Sequence, residues 1–411
     1  MILLVHPFGN ANVRAVLEAL EEQNLLARFV TALGWSNESS WLRMMPGGLR
    51  RKIARRGYSL PADKLRVEPA REIVRLLVGS ATIAQQLTEH ERGWASIDQV
   101  WRGVDRHAAR YLRERSGGGK ITGVYAYEDC ALESFRAACE LGVRRIYDLP
   151  IAYYETAQKL LREEAERYPA WEPTLGGTRD SAEKLGRKEE ELRLAELVIC
   201  PSGFVLDSLP EDARLAKRCV VVPFGSPGVT GAAERTHKPL RVLFAGALTQ
   251  RKGLADLFAA MELLDTRKIE LVVMGSLLRP LEWYRERCAR FTYEPPRPHA
   301  EVLELMCSCD VFVLPSLVEG RALVQQEAMA CGLPLIATKN AGGDDLIVEG
   351  ETGFLVPIRS PQALAEKISW CAANREAISG MGIAAQRRAA ELTWRGYGES
   401  VVAAIRSLMA G

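Results

Sequence analysis

The chain has 411 residues, 47% of them hydrophobic and 26% charged, with a formal net charge of +2. That length is too great for one ordinary core and favours two domains. The near-neutral balance points to no nucleic-acid partner. Nine cysteines without a CxxC pair argue against a zinc ribbon or a disulfide scaffold, and no stretch approaches the ~18–20 apolar residues of a membrane span.

The opening MILLVHPFGN has no basic stretch ahead of its apolar run, so it reads as a first strand and not a signal peptide. A cytoplasmic protein with reduced, mostly buried thiols is expected. Residues 2–5 are that strand, and His6-Pro7-Phe8-Gly9-Asn10 is a tight turn. Residues 11–26 carry Val13, Val16, Leu17 and Leu20 on one helical face, and 26–33 return to a strand pattern. Strand, glycine-bearing turn, helix, strand is a βαβ unit, which calls for a parallel, doubly wound sheet. Gly9 and Asn10 then fall where such sheets bind ligands. A plain left-handed turn at Gly9 explains the glycine equally well.

Residues 41–66 hold eight Lys or Arg against one acid, Asp63. Such a run is either a patch for a membrane surface or anionic acceptor, or an ordinary solvated face. Residues 72–115 are helical in period. The glycine-rich 116–120 that follow are a turn, because a strand stands where a phosphate-binding P-loop would need a helix. Two strand ends then present Tyr127, Glu128 and Asp129, and Asp148, Tyr153 and Tyr154. These are site candidates by position, or else helix caps and hydrogen-bonded tyrosines. Residues 158–194 are charged and helical with proline and glycine interruptions, and Trp171 among them suits a surface facing another domain. Strand patterns at 194–202 and 219–223 end this half, and the small, proline-flanked 226–239 has the composition of a linker.

The second half restarts the alternation, with strands expected at 240–245, 269–274, 311–314, 335–338 and 353–356. Helices are expected at 254–264, 322–331, 361–387 and 394–409. Within it, LPSLVEGRALVQQEAMACG (314–332) runs from a strand through a polar loop carrying Glu319 into a helix carrying Glu327, closed by Gly332. A helix start beside a strand end offers backbone N–H groups and a positive dipole to an anion. Two carboxylates flanking such a cradle suit a ligand that bears hydroxyls as well as phosphate.

Three motifs then resemble, in order, the donor-binding domain of the retaining glycosyltransferases of family 4. FAGALTQRKGLADLFAAMELL is similar to the phosphate-turn signature, LPSLVEGRALVQQEAMACGLPLIATKNAGGDDLI to the two-glutamate motif with its Gly-Gly loop, and GETGFLVP to the closing strand. The resemblance covers most of 240–360. It implies an α/β chain of the GT-B fold, with two Rossmann-like doubly wound domains facing a cleft. The acceptor-binding domain would span 1–230, the donor-binding domain 231–390, and a C-terminal helix, 391–411, would cross back to the first.

By the same resemblance, Lys252 and Arg251 would neutralise the donor diphosphate, with Gly246 opening their turn. Glu327 would bond the ribose hydroxyls and Glu319 the transferred sugar. Backbone amides of Arg321, Ala322 and Leu323 would hold sugar and phosphates, and Gly9 with Asn10 would close over the diphosphate from the other domain. The chain departs from the family in having Gly246-Ala247-Leu248 where Gly-Arg-Leu is frequent, with Arg251 as the substitute. It also lacks an evident acceptor-side histidine; His6 and His299 are as well explained by structural hydrogen bonds or caps.

The expected activity is a metal-independent, retaining transfer of a hexose-type sugar from a UDP- or GDP-linked donor to a hydroxyl acceptor. No cofactor is expected beyond that donor substrate, and a weak peripheral membrane contact would run through 41–66. The alternative is a non-catalytic nucleotide-sugar sensor or partner on the same fold.

Overall fold

The computed structural model describes residues 1–37, 56–78, 85–115, 121–228, 239–264 and 267–410. Most of the basic run (41–55), the glycine-rich 116–120 and most of the linker (229–238) lie outside the described residues. The first half contributes β1 (Ile2–Val5), β2 (Leu26–Thr31), the short pair β3 (Trp35–Ser36) and β4 (Gly57–Tyr58), β5 (Leu65–Val67), β6 (Gly123–Tyr127), β7 (Arg144–Asp148), β8 (Leu197–Cys200) and β9 (Arg218–Val221). Seven of these form one parallel sheet in the order β5-β2-β1-β6-β7-β8-β9. The second half contributes β10 (Leu240–Ala245), β11 (Ile269–Met274), β12 (Thr292–Glu294), β13 (Val311–Leu314), β14 (Leu335–Ala337) and β15 (Gly353–Leu355). Their parallel sheet runs β12-β11-β10-β13-β14-β15.

The central strands are buried at every position because helices cover both faces, which is why they read as unbroken apolar runs. Each sheet reverses its winding once: between β1 and β6 in the first, between β10 and β13 in the second. Loops leaving the carboxyl ends of these strand pairs splay apart and leave a crevice, the usual ligand position of doubly wound sheets. The loops after β1, β6, β10 and β13 carry Gly9, Glu128, Lys252 and Glu319.

Two elements cross between the halves. The helix Trp394–Ala410 packs on Ala11–Glu22, burying Tyr397, Val401, Val402 and Ile405 in the first-domain core. Gly398 approaches that helix so closely that a Cβ would lie 2.5 Å from Ala15 O. In the other direction Trp171 leaves the first half and enters the second-domain core, edge-on to Phe258, Trp283 and Tyr284. The same segment is stitched down by Thr249 Oγ1 donating to Thr174 O (2.5 Å) and by Gln250 Nε2 donating to Glu164 (2.6 Å) and Asp256 (2.9 Å).

Residues 72–115 differ from the single helical period expected. They form Ala70–Val78, Gln85–Thr88 and Ile97–Arg115. Between the last two the chain turns through Glu91 at φ 59° and Gly93, where a Cβ would meet Leu87 O at 2.5 Å, so apolar spacing alone could not carry one helix through. Likewise 361–387 splits at Asn374 into Pro361–Ala373 and Arg375–Glu391. All nine cysteines are free thiols, six of them buried.

Candidate functional site

Beyond β10 the chain turns at Gly246 (φ 148°) and makes a short 3-10 turn, Gln250–Lys252, closed by Gly253 at φ 73°. The Lys252 side chain lies back across Gly246, where a Cβ would come within 2.9 Å of its Cδ and Cε. Glycine is needed there for close approach as well as for backbone conformation. The neighbouring loop after β13 hydrogen-bonds to this turn, Leu317 N donating to Arg251 O at 2.9 Å. Switch-point topology thus brings together groups 67 residues apart in sequence.

At the junction Lys252 Nζ reaches Glu319 Oε1 at 2.5 Å, and Arg251 Nη1 reaches the same oxygen at 3.1 Å while also donating to Val318 O (2.7 Å). Glu319 is buried. Burial alone would push its carboxyl up, but the charges and hydrogen bonds of Lys252 and Arg251 outweigh it and hold Glu319 below the usual range. It is therefore ionised at neutral pH. It can accept hydrogen bonds from hydroxyls, and it cannot serve as a proton donor.

The helix that follows is Leu323–Ala330, with Ala322 as N-cap and Gly332 left-handed (φ 75°) just beyond its end. Of the three expected backbone donors, Ala322 N–H is already given to Ala341 O at 3.3 Å. The Arg321 side chain turns away from the cradle into the domain junction. There its Nη1 donates to both oxygens of Asp345 (2.8 and 2.6 Å) and to Pro201 O (3.0 Å). Glu327 sits on this helix and meets His299 Nε2 at 3.0 Å; His299 opens the neighbouring helix His299–Cys307. In the sequence His299 reads as a loop or cap residue, and only its proline neighbour hints at a helix start.

The first domain closes on the same loop. Gly320 lies against the segment after β7, so that a Cβ would stand 1.8 Å from Pro150 O, and its own carbonyl accepts from Ser202 Oγ at 2.6 Å. Behind it Ala152, Leu161, Leu175 and Phe204 of the first half pack with Leu317 and Val318 of the second. Gly9 lies in the loop after β1, but its φ is not positive. Close approach explains this glycine: a Cβ would meet the Tyr58 ring and hydroxyl at 2.7 Å. Asn10 is the N-cap of Ala11–Glu22, is exposed, and makes no side-chain capping bond.

The strand-end tyrosines and acids of the first domain are mostly internal. Glu191 accepts from the Asp129, Ala131 and Leu132 amides, and Asp105 from those of Glu133 and Ser134, so carboxylates of the fold already cap the helix after β6. Asp129 itself is strained, at φ 67°. Asp148 is buried and accepts from Tyr125 Oη at 2.5 Å. Burial raises its carboxyl to about 7 against the pull of the neighbouring tyrosine hydroxyls. His6 stands edge-on to Tyr127, with ring centroids 4.5 Å apart, and burial lowers its pKa to about 4 despite its bond to the Phe8 backbone.

These two groups have opposite signs. The folded chain keeps Asp148 protonated up to about 7, so its stabilising contribution is full below 3.8 and is lost as pH rises through 7. His6 is protonated first in the unfolded chain, so stability falls as pH drops from 6.5 towards 4. Each slope is at most about 1.4 kcal/mol per pH unit. Urea unfolding from pH 4 to 7 should show Asp148→Asn gaining stability with pH more steeply than the parent and His6→Gln less steeply. Identical slopes in all three proteins would show that neither group titrates as its burial dictates.

Among the described residues, His90, Glu91 and Asp180 bring three potential metal-ligand atoms together. Lys184 already reaches Asp180 at 3.1 Å and Asp98 at 2.9 Å, so an ammonium supplies positive charge there.

Residues 239–374, most of the second domain, match the family model described as glycosyl transferases group 1. A curated relative, the D-inositol 3-phosphate glycosyltransferase of Corynebacterium urealyticum, is 30% identical over 225 residues, covering 48% of this chain and 53% of its own. The chain thus spans about half the length of the curated relatives it matches. Whole-chain likeness is structural. Sucrose-phosphate synthase from Thermosynechococcus elongatus superposes with a TM-score of 0.67 at 18% identity, covering 100% of this chain and 99% of its own. HepE of Anabaena in complex with UDP-glucose gives 0.58 at 16% identity, covering 99% of each chain. The fold is GT-B.

Proposed function

We propose that this chain is a glycosyltransferase that moves a hexose-type sugar, with retention, from a nucleoside diphosphate-sugar to a hydroxyl acceptor. The observation that carries the reading is the convergence of Lys252, Arg251 and Glu319 at the switch point between β10 and β13. The family match over the second domain and the UDP-sugar bound by a protein of the same fold support it.

In the reaction the bond from the anomeric carbon to the diphosphate oxygen breaks, and the diphosphate leaves with the bonding electrons. The acceptor oxygen bonds to the same carbon, and its proton passes to the departing diphosphate. Lys252 and Arg251 meet the charge that develops on the leaving group, where fixed cations in a closed site are most effective. Glu319, held ionised, accepts from hydroxyls of the transferred sugar, and Glu327, steadied by His299, accepts from the ribose diol. The Gly320 junction excludes water that would hydrolyse the donor.

A calorimetric titration of the purified chain with UDP-, GDP- and ADP-sugars, followed by assays of slow donor hydrolysis, is the direct test. One donor series is expected to bind and to be hydrolysed slowly without acceptor, equally with and without EDTA. Binding with neither hydrolysis nor transfer to any acceptor would favour a nucleotide-sugar sensor. Activity abolished by EDTA would overturn the assignment of the phosphate charge to the basic pair.

A further inference from the structure

The helix Ala70–Val78 is amphipathic in the inverted sense. Its inward residue is Glu72, 0% exposed and ion-paired to Arg56 (2.5 Å) and Arg75 (2.7 Å). Its outward stripe is apolar: Ile73, Leu76 and Leu77, spaced i, i+3, i+4, are 41%, 51% and 80% exposed. A surface helix of a soluble domain turns its apolar stripe to the core, and this stripe has no covering element among the described residues. Of the fifteen exposed large hydrophobic side chains among the described residues, seven lie between Val67 and Ile97, including Leu87 and Trp94 beside the stripe. Scattered exposed leucines need no explanation, but a concentration of this kind marks an interaction surface.

Charge identifies the occupant. The described residues 56–78 and 85–115 hold eleven Lys or Arg against eight Asp or Glu, a net of +3, so the rest of this +2 chain is net −1. Within the described part, Arg71 lies over the Trp94 ring at 5.1 Å and Arg66 over Tyr111 at 5.8 Å. Burial and the nearby cations Arg71, Arg187 and Arg102 together push the Arg106 guanidinium down. An apolar ridge rimmed by arginines matches an anionic bilayer, into which the ridge inserts while the cations meet headgroups. The same rim opposes self-association, since a second copy would bring like charges together. Insertion is shallow, because no described helix is long and apolar enough to cross a membrane.

We propose that Ala70–Val78, with Leu87 and Trp94, is a docking surface for an anionic phospholipid bilayer. The surface adjoins the cleft: Arg56 and Arg75 lie over the Phe8 ring at 5.7 and 6.0 Å, in the loop after β1. On the transferase reading above, docking would hold the acceptor side of the cleft at the bilayer. The surface itself stands without that reading.

The test is flotation of the full chain with vesicles of phosphatidylglycerol and phosphatidylcholine, against phosphatidylcholine alone, at low and high salt. Partition should favour the anionic vesicles and weaken with salt. It should drop by roughly tenfold or more in Leu76→Ser/Leu77→Ser. Leu215→Ser, at an equally exposed position elsewhere, should match the parent. Thermal midpoints should agree in all three, since the altered side chains are exposed. No anionic-vesicle binding at low salt, or equal binding by the double variant, overturns the proposal. So does a parent dimer in sedimentation that the double variant abolishes, which would give the ridge to a second copy. Vesicle binding needs no donor sugar, so its failure is distinguishable from failure of the transferase reading.

Discussion

Lys252→Ala is expected to cut transfer by about 10²–10³-fold or more while the protein stays folded, the scale of losing one preorganised charge contact to a developing anion. The ammonium lies 2.5 Å from Glu319 and its methylenes cover Gly246. The substitution therefore removes a charge, a hydrogen bond and a packed stem together, and two companions separate these. Lys252→Met keeps most of the stem without the charge and should be nearly as impaired as Ala. Lys252→Arg keeps the charge on a longer, planar group and should recover part of the rate.

Glu319 supplies an independent readout. With Lys252 gone, Arg251 at 3.1 Å is its remaining cation, and burial still opposes ionisation, so its carboxyl should rise. In the parent the depressed carboxyl contributes stability above 4.5 that is lost as pH falls through its folded value. In Lys252→Met that contribution should shrink, so the loss of stability on the acid side should be smaller than in the parent. Binding of a nucleoside diphosphate should weaken far more than binding of the bare nucleoside. Full turnover by Lys252→Ala on the true substrate pair would remove Lys252 from the phosphate site.

How much of this was legible depended on whether a signal was local. Apolar runs mark the central strands, Gly332 marks a helix end, and the family resemblance puts Arg251-Lys252 and the two glutamates at the crevice of the second sheet, where the turn and loop do meet. Local patterns carry no record of what a distant segment brings. Nothing in the sequence around Glu327 announces His299, 28 residues away. Nothing around Gln250 announces Glu164, 86 residues away, or shows Trp171 inside the second domain's core. The resemblance gives Arg321 a backbone role, yet its side chain also ties Asp345 to Pro201 O. Gly9 was placed correctly in a strand-end loop but with the wrong alternative explanation: the constraint is the Tyr58 ring and not a left-handed turn.

Gly320→Ala should uncouple the domains. The φ of Gly320 is not positive, so alanine meets no backbone strain, and the whole effect comes from the approach of Pro150 O at 1.8 Å and Ile151 Cα at 3.0 Å. Ordinary contact requires the two loops to part by more than about 1 Å. Parting them stretches the Ser202 Oγ bond to Gly320 O (2.6 Å), the Arg321 bond to Pro201 O (3.0 Å) and the Gln326 bond to Phe224 O (2.7 Å). Each buried group left unpaired costs about 1–3 kcal/mol, so a loss of about 2–4 kcal/mol is expected. Lys252, Arg251 and Glu327 all lie in the second domain, so donor affinity should change little. Transfer should fall about 10²-fold, the usual penalty for misplacing reacting groups by an ångström. Gly142→Ala is the control: at φ 67° with nothing within 4 Å, it should cost about 1 kcal/mol of backbone strain and leave transfer alone. If Gly320→Ala kept both the parental thermal midpoint and the parental rate, closure at this junction would have no part in the reaction. A lost rate with unchanged donor affinity would assign Gly320 to holding the acceptor domain against the donor.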